Sequence, residues 1–195
     1  MTKKPSTESH VPQLRLGCVG LAGYAEAMSG VVLEHGGSTS PPVELVAAAG
    51  PEAAAGHERV GELEGQGVRV FADLDAMLNE AELDAAWVLA PIHLHEPLTR
   101  RCLDAGLHVL CEKPAAGSVA EVQRMIEQRD AAGKVVLIGF QDVYDPSLLE
   151  LKRRMIEGRL GGVRRIAMHG LWPRGEAYFH RNNWAGRLTV DGRAV

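Results

Sequence analysis

Short apolar runs alternate with stretches of helical periodicity through most of this chain, and that alternation limits its fold more than any other feature. The runs lie at residues 14–19, 43–49, 68–71, 85–90, 107–111 and 135–140. A strand covered on both faces reads as a continuous apolar run, and consecutive parallel strands need a crossover helix between them. The pattern therefore predicts an α/β fold with a doubly wound parallel sheet. Local signals agree with it. Asp73 is a candidate cap for a short helix carrying Leu74, Met77 and Leu78. Ser118 and Glu121 have the spacing of a capping box ahead of Val119, Val122, Met125 and Ile126. Gly106 and Gly133 stand where helices stop. Residues 52–64 read as one helix. Asp145 and Pro146 open another, with Leu148, Leu151 and Met155 as its stripe, and residues 163–171 read as a long strand.

Ligands of open α/β sheets bind outside the carboxyl ends of the strands. Two segments there carry chemistry. Glu112 and Lys113 follow the apolar run Val109-Leu110-Cys111, and Pro114 biases Lys113 away from the helical region. The lysine is expected at a sharp exit from the sheet, partly desolvated, with a lowered pKa suited to proton transfer. An ordinary surface lysine is the plain alternative. The second segment, Gly20-Leu21-Ala22-Gly23-Tyr24-Ala25, joins the first strand to a helix. That context suits a dinucleotide turn, whose glycines bring backbone close to a pyrophosphate on the helix N-terminus. Two of the three usual glycines are Ala22 and Ala25 here, which restricts the approach without blocking it. The acid that usually binds ribose hydroxyls at the end of the second strand is replaced by Gly50, and Glu52 is its candidate substitute.

Composition narrows the function classes. A net charge of -4, without a Lys/Arg block, argues against nucleic acid as the main partner. No apolar run approaches a membrane span. Residues 1–13 are polar and lack the apolar core of a secretory signal; they read as a disordered tail. Three cysteines, an odd number, suit reduced core thiols in the cytoplasm. His93, His95, His108 and Cys111 lack tight ligand spacing, so no metal is expected. Hydrolase and nucleotide-triphosphatase motifs are absent. Trp172, Tyr178, Phe179 and Trp184, with Arg174, Arg181, Asn182 and Asn183 among them, form an aromatic cluster. It reads equally as a platform for a sugar ring or as core.

Taken together, the glycine turn, Pro91 with His95, and the run Ala105-Gly106-Leu107-His108-Val109-Leu110-Cys111-Glu112-Lys113-Pro114 resemble the glucose-fructose oxidoreductase / inositol dehydrogenase (Gfo/Idh/MocA) family. Gly139-Phe140-Gln141 and the segment from Ile156 to Gly161 extend the resemblance. It implies a Rossmann-type domain over residues 14–141 and the start of an α/β second domain with an open sheet over residues 142–195. It implies NAD or NADP as cofactor, and hydride exchange with a sugar-like or cyclitol hydroxyl or ketone. Lys113 matches the family's lysine beside the reacting hydroxyl. Residues 20–25, Gly50, Ala90, Pro91, His95, Glu112 and Lys113 fall on the cofactor side, and Trp172, Arg181, Asn183 and Trp184 on the substrate side. Glu112 would orient Lys113 or the ribose. Self-association through the second-domain sheet is also implied.

Two departures stand out. The turn and Gly50 leave the cofactor open between NAD and NADP, although no arginine for a 2′-phosphate is evident. Relatives are longer, and their Asp-x-x-x-His pair lies further along; Asp191 is followed four residues later by Val195. A fragment with a cut-short, exposed sheet is therefore expected. A non-catalytic dinucleotide-binding module and an interaction fragment remain the alternatives to an enzyme.

Overall fold

The computed structural model describes residues 12–182 and 184–195. The tail expected at residues 1–13 falls, up to residue 11, outside them, as does Asn183. β1 (Leu14–Val19) leads through the glycine turn into α1 (Tyr24–His35). β2 (Val43–Ala49), the short helices α2 (Pro51–Ala54) and α3 (Glu58–Gly65), β3 (Arg69–Phe71) and α4 (Leu74–Glu80) follow. β4 (Ala85–Val88), α5 (Ile92–Asp104), β5 (His108–Cys111), α6 (Val119–Ala132) and β6 (Val136–Ile138) complete the alternation. The six strands pair in parallel in the order β3-β2-β1-β4-β5-β6. This is the expected doubly wound sheet, and its order reverses between β1 and β4.

Residues alternate across the strands and so build two cores. Val19, Ala47, Ala49, Val88, Val109 and Cys111 join Leu74, Met77, Cys102, Leu103 and Met125 from α4, α5 and α6 on one face. Cys18, Leu45 and Ala48 join Leu21, Ala25 and Leu63 on the other. The period of two in the strands and the apolar stripes of the helices meet here.

The helix-end signals are realised with small differences. Asp73 accepts from the Ala76 N–H at 2.9 Å. Ser118 accepts from the Glu121 N–H at 3.3 Å, while its hydroxyl donates to the Glu121 carboxylate at 3.2 Å. The helix expected over residues 52–64 is two helices. Gly56 takes a left-handed φ of 68°, and His57 restarts the chain by accepting from the Arg59 N–H at 3.2 Å.

The larger correction lies at residues 163–171, which form no strand. A strand needs a partner for its backbone groups, and none of the described residues offers one. Met168 and Leu171 are 92% and 93% exposed. Around this segment stand α7 (Pro146–Ile156), capped by Asp145, then α8 (Glu176–Phe179) and an antiparallel hairpin of β7 (Thr189–Val190) and β8 (Arg193–Ala194). Among the described residues, the open sheet expected of a second domain is limited to that hairpin. Arg193 docks it on α5. Pro97 lacks the N–H that would bond the His93 carbonyl, and the Arg193 guanidinium donates to that carbonyl at 3.5 Å. The same guanidinium lies 3.7 Å from buried Glu96.

Candidate functional site

The carboxyl rim of the sheet is a single row of residues, each one step past its strand. Gly50 N–H donates to the Phe71 carbonyl, Gly20 to Ala49, Leu89 to Val19, Glu112 to Val88 and Gly139 to Cys111, at 2.7 to 3.1 Å. The ladder thus continues beyond five of the six strand ends and aligns the glycine turn, the Ala90–Pro91 segment and the Glu112–Lys113 pair along one edge. The switch point lies between β1 and β4, where ligands of such sheets bind.

Gly20 is needed at that point. Its φ is +122°, and a side chain there would stand 3.0 Å from the Leu89 carbonyl oxygen and 3.1 Å from the Ala25 methyl. Ala25 is buried and belongs to the core, so its methyl group faces inward. Leu21 is buried beside it. Ala22 is half-buried, and Gly23 leaves open space where a side chain would project. Gly23 also provides no side-chain cap to α1, and the first N–H groups of a helix have no intrahelical partners. Tyr24 is exposed at the same end; partial burial, then the Glu112 charge, raise its hydroxyl above its ordinary pKa. A pyrophosphate fits such an end, by both hydrogen bonding and the helix dipole.

Across the switch point, His95 is buried and tied to two loops. Its Nε2 lies 2.8 Å from the Ala90 carbonyl oxygen and its Nδ1 2.7 Å from that of Pro114. The ring therefore links the end of β4 to the segment after β5. Pro91 caps α5 without a side-chain bond. Neighbouring His93 is buried, and burial holds its pKa below the ordinary value.

Glu112 turns its carboxylate back over the sheet. One oxygen accepts from the Trp87 indole N–H at 3.3 Å, and the other from the Lys113 backbone N–H at 3.3 Å. Gly139 makes the room, since a side chain there would stand 2.7 Å from that carboxylate. Trp87 and Gly139 were not among the expected site residues. Trp87 reads only as a strand residue, and its bond to Glu112 depends on the pairing of β4 with β5. Lys113 itself stands exposed at the rim, where partial desolvation was the expectation. The Lys113–Pro114 peptide is cis.

Two of the expected substrate residues, Arg181 and Trp184, meet in one stacked group. Arg181 stacks 3.9 Å from the Tyr178 ring and 5.2 Å from Trp184, and Arg174 lies 4.6 Å from Tyr178. Trp172 is exposed. Tyr178 and Trp184 are thus cation-stacked; Trp172, Tyr178 and Phe179 are exposed and not core, and Trp184 is half-buried.

The Gfo/Idh/MocA family model, described as an oxidoreductase family with an NAD-binding Rossmann fold, matches residues 14–140. Inositol 2-dehydrogenase 2 of Saccharopolyspora erythraea is 37% identical over 109 residues, which is 55% of this chain and 32% of that protein. A Bacillus subtilis scyllo-inositol 2-dehydrogenase named for NADP(+) is 33% identical over 111 residues, 56% of this chain and 33% of its own. The chain thus matches about a third of the length of these curated relatives. Among solved structures, the WlbA dehydrogenase of Chromobacterium violaceum, crystallised with NADH and UDP-GlcNAcA, superposes with a TM-score of 0.75 at 28% identity. It covers 95% of this chain and 51% of that one. With most of its length under one family model and the six-stranded sheet in the family's fold, the chain belongs to the Gfo/Idh/MocA oxidoreductases with an NAD-binding Rossmann fold.

Proposed function

We propose that this chain binds NAD(P) across the sheet rim and carries the proton-transfer lysine of an oxidoreductase acting on a sugar-like or cyclitol hydroxyl or ketone. The single observation that carries the reading is the hydrogen-bonded row that puts the glycine turn, Ala90–Pro91 and Glu112–Lys113 on one edge. Backbone N–H groups of residues 23–25 hold the pyrophosphate, with Gly20, Leu21 and Ala22 shaping the turn. Gly50 borders the adenosine side. Ala90 and Pro91, fixed by His95, flank the nicotinamide half. When bound, the nicotinamide supplies hydride exchange at its C4. Glu112 holds the Lys113 backbone, and the Lys113 amine takes the proton of the substrate hydroxyl in oxidation and returns it in reduction.

Residues 14–141 are the cofactor unit in this reading and residues 142–195 begin a substrate and self-association unit. The family match over residues 14–140 and the exposed Leu148, Leu149 and Leu151 of α7 support that division. Trp184 and Arg181 are then available to a sugar ring. Buried free Cys18, Cys102 and Cys111 support a reducing compartment, the cytoplasm. No described helix is long and apolar enough to cross a membrane.

Titrating NADH and NADPH against tryptophan fluorescence tests the shared claim, and saturable binding of at least one is expected. Lys113→Ala should keep that binding and lower turnover on a polyol panel by about 10²- to 10⁴-fold. Binding without any wild-type turnover would favour a non-catalytic module, and no binding of either dinucleotide would remove both readings.

A further inference from the structure

Asp191 and Gly192 form the turn between β7 and β8, with φ of 49° and 75°. Left-handed φ at both central residues suits a two-residue hairpin turn, and Asp-Gly is a pair that adopts it. The turn delivers the next residue, Arg193, onto α5. Its guanidinium donates to the His93 carbonyl at 3.5 Å and stands 3.7 Å from Glu96 Oε2. Glu96 is buried, and its other oxygen accepts from Arg124 at 2.9 Å and Arg100 at 3.4 Å. A buried carboxylate needs such partners. The residue after Arg193 packs on a different segment. A side chain built on Gly117 would collide with the Ala194 carbonyl, so β8 lies directly on the backbone just past Pro114.

These contacts fall on the two sides of the nicotinamide half of the rim. α5 begins one residue past Pro91, and Gly117 lies four residues past Lys113. His95 joins the same two sides from within, through the Ala90 and Pro114 carbonyl oxygens at 2.8 and 2.7 Å. β8 joins them from without. A two-stranded hairpin is marginal by itself, so its seat depends on what anchors it. Arginine suits that task, because its planar fork reaches a carbonyl and a carboxylate at once, where lysine offers a point charge.

We propose that Arg193 is a positioning residue of the oxidoreductase site: it seats β8 across the start of α5 and the segment after Pro114, and so fixes the spacing of Ala90–Pro91 and Lys113 around the nicotinamide. The inference rests on the cofactor reading above, and calorimetric titration of the 195-residue chain separates the two. The probes are the more tightly bound of NADH and NADPH, and its counterpart without nicotinamide, ADP-ribose or the 2′-phosphate of ADP-ribose. Wild type should bind the dinucleotide about tenfold more tightly than the counterpart. Arg193→Ala should bring that ratio close to one while the counterpart's affinity stays within about twofold of wild type. Arg193→Lys should restore only part of the ratio. A merely structural role would weaken both ligands together or neither, and either result in a folded Arg193→Ala chain overturns the inference and leaves the cofactor reading standing. A second measurement needs no variant to fold. In ¹⁵N–¹H spectra of wild type, the dinucleotide should shift the Gly117 and Ala194 amides and the counterpart should not; identical responses to the two ligands overturn the inference as well. Failure of every one of these ligands to bind overturns it together with the reading beneath it.

Discussion

Glu112 is the residue on which the geometry of Lys113 turns. Its two oxygens are divided between the Trp87 indole and the Lys113 backbone, and the absence of a side chain at Gly139 makes that posture possible. Gly139→Ala should push the carboxylate off its seat. We expect a loss of about 1–3 kcal/mol in denaturant unfolding, and a fall in turnover larger than the fall in dinucleotide affinity, read as kcat against Kd. The three thiols offer a second residue-scale check. Burial pushes Cys18, Cys102 and Cys111 up to about 12, and the thiolate is the reactive form. Ellman's reagent at pH 8 should therefore leave all three untouched in the folded chain and modify them once urea unfolds it. Rapid reaction under native conditions would contradict their place in the two cores.

At the scale of elements, stability at low pH follows from two carboxylates. Arg15 hydrogen bonds hold Asp84 below its ordinary 3.8, joining the start of β1 to the loop before β4. Backbone N–H groups of Leu148 and Ser147 do the same for Asp145 at the start of α7. A depressed folded-state pKa contributes stability that is fully present above the unfolded value and is lost as pH falls through the folded one. Melting temperature should thus hold from pH 6 to about 4 and decline below it, and Asp84→Asn should flatten that decline while lowering the plateau. A melting temperature indifferent to pH between 5 and 2 would contradict both bonds. The sheet core gives the largest expected single loss: Met77, 0% exposed between α4 and the strands, should cost about 2–5 kcal/mol when replaced by Ala.

Most elements of the sheet were legible because periodicity, Asp73, Ser118 and Gly133 are local signals. The misread ones depend on distant partners. Residues 163–171 have strand-like composition but no strand to pair with, and the break at Gly56 is a backbone choice that helical periodicity alone does not register. The same division runs through the site. The glycine turn and Glu112–Lys113 are contiguous motifs. Trp87 and Gly139 join the site only after β4, β5 and β6 are laid side by side, and the exposure of Lys113 is set by what lies over the rim.

For the whole molecule, the account reduces to one long edge with a dinucleotide along it. The hairpin pinned by Arg193 to α5 borders that edge, and the residues after Ile138 add exposed apolar surface without adding to the six-stranded sheet. The measurement that tests this most directly is a two-dimensional ¹⁵N–¹H correlation spectrum of the uniformly ¹⁵N-labelled chain, titrated with NADH. Saturable shifts should concentrate on Gly20 to Ala25, Gly50 to Ala53, Ala90, Ile92 and the Glu112–Lys113 amides, leaving the opposite ends of the strands unmoved. Saturable shifts confined to α7 and the segment after it, or no saturable shift at all, would contradict the account.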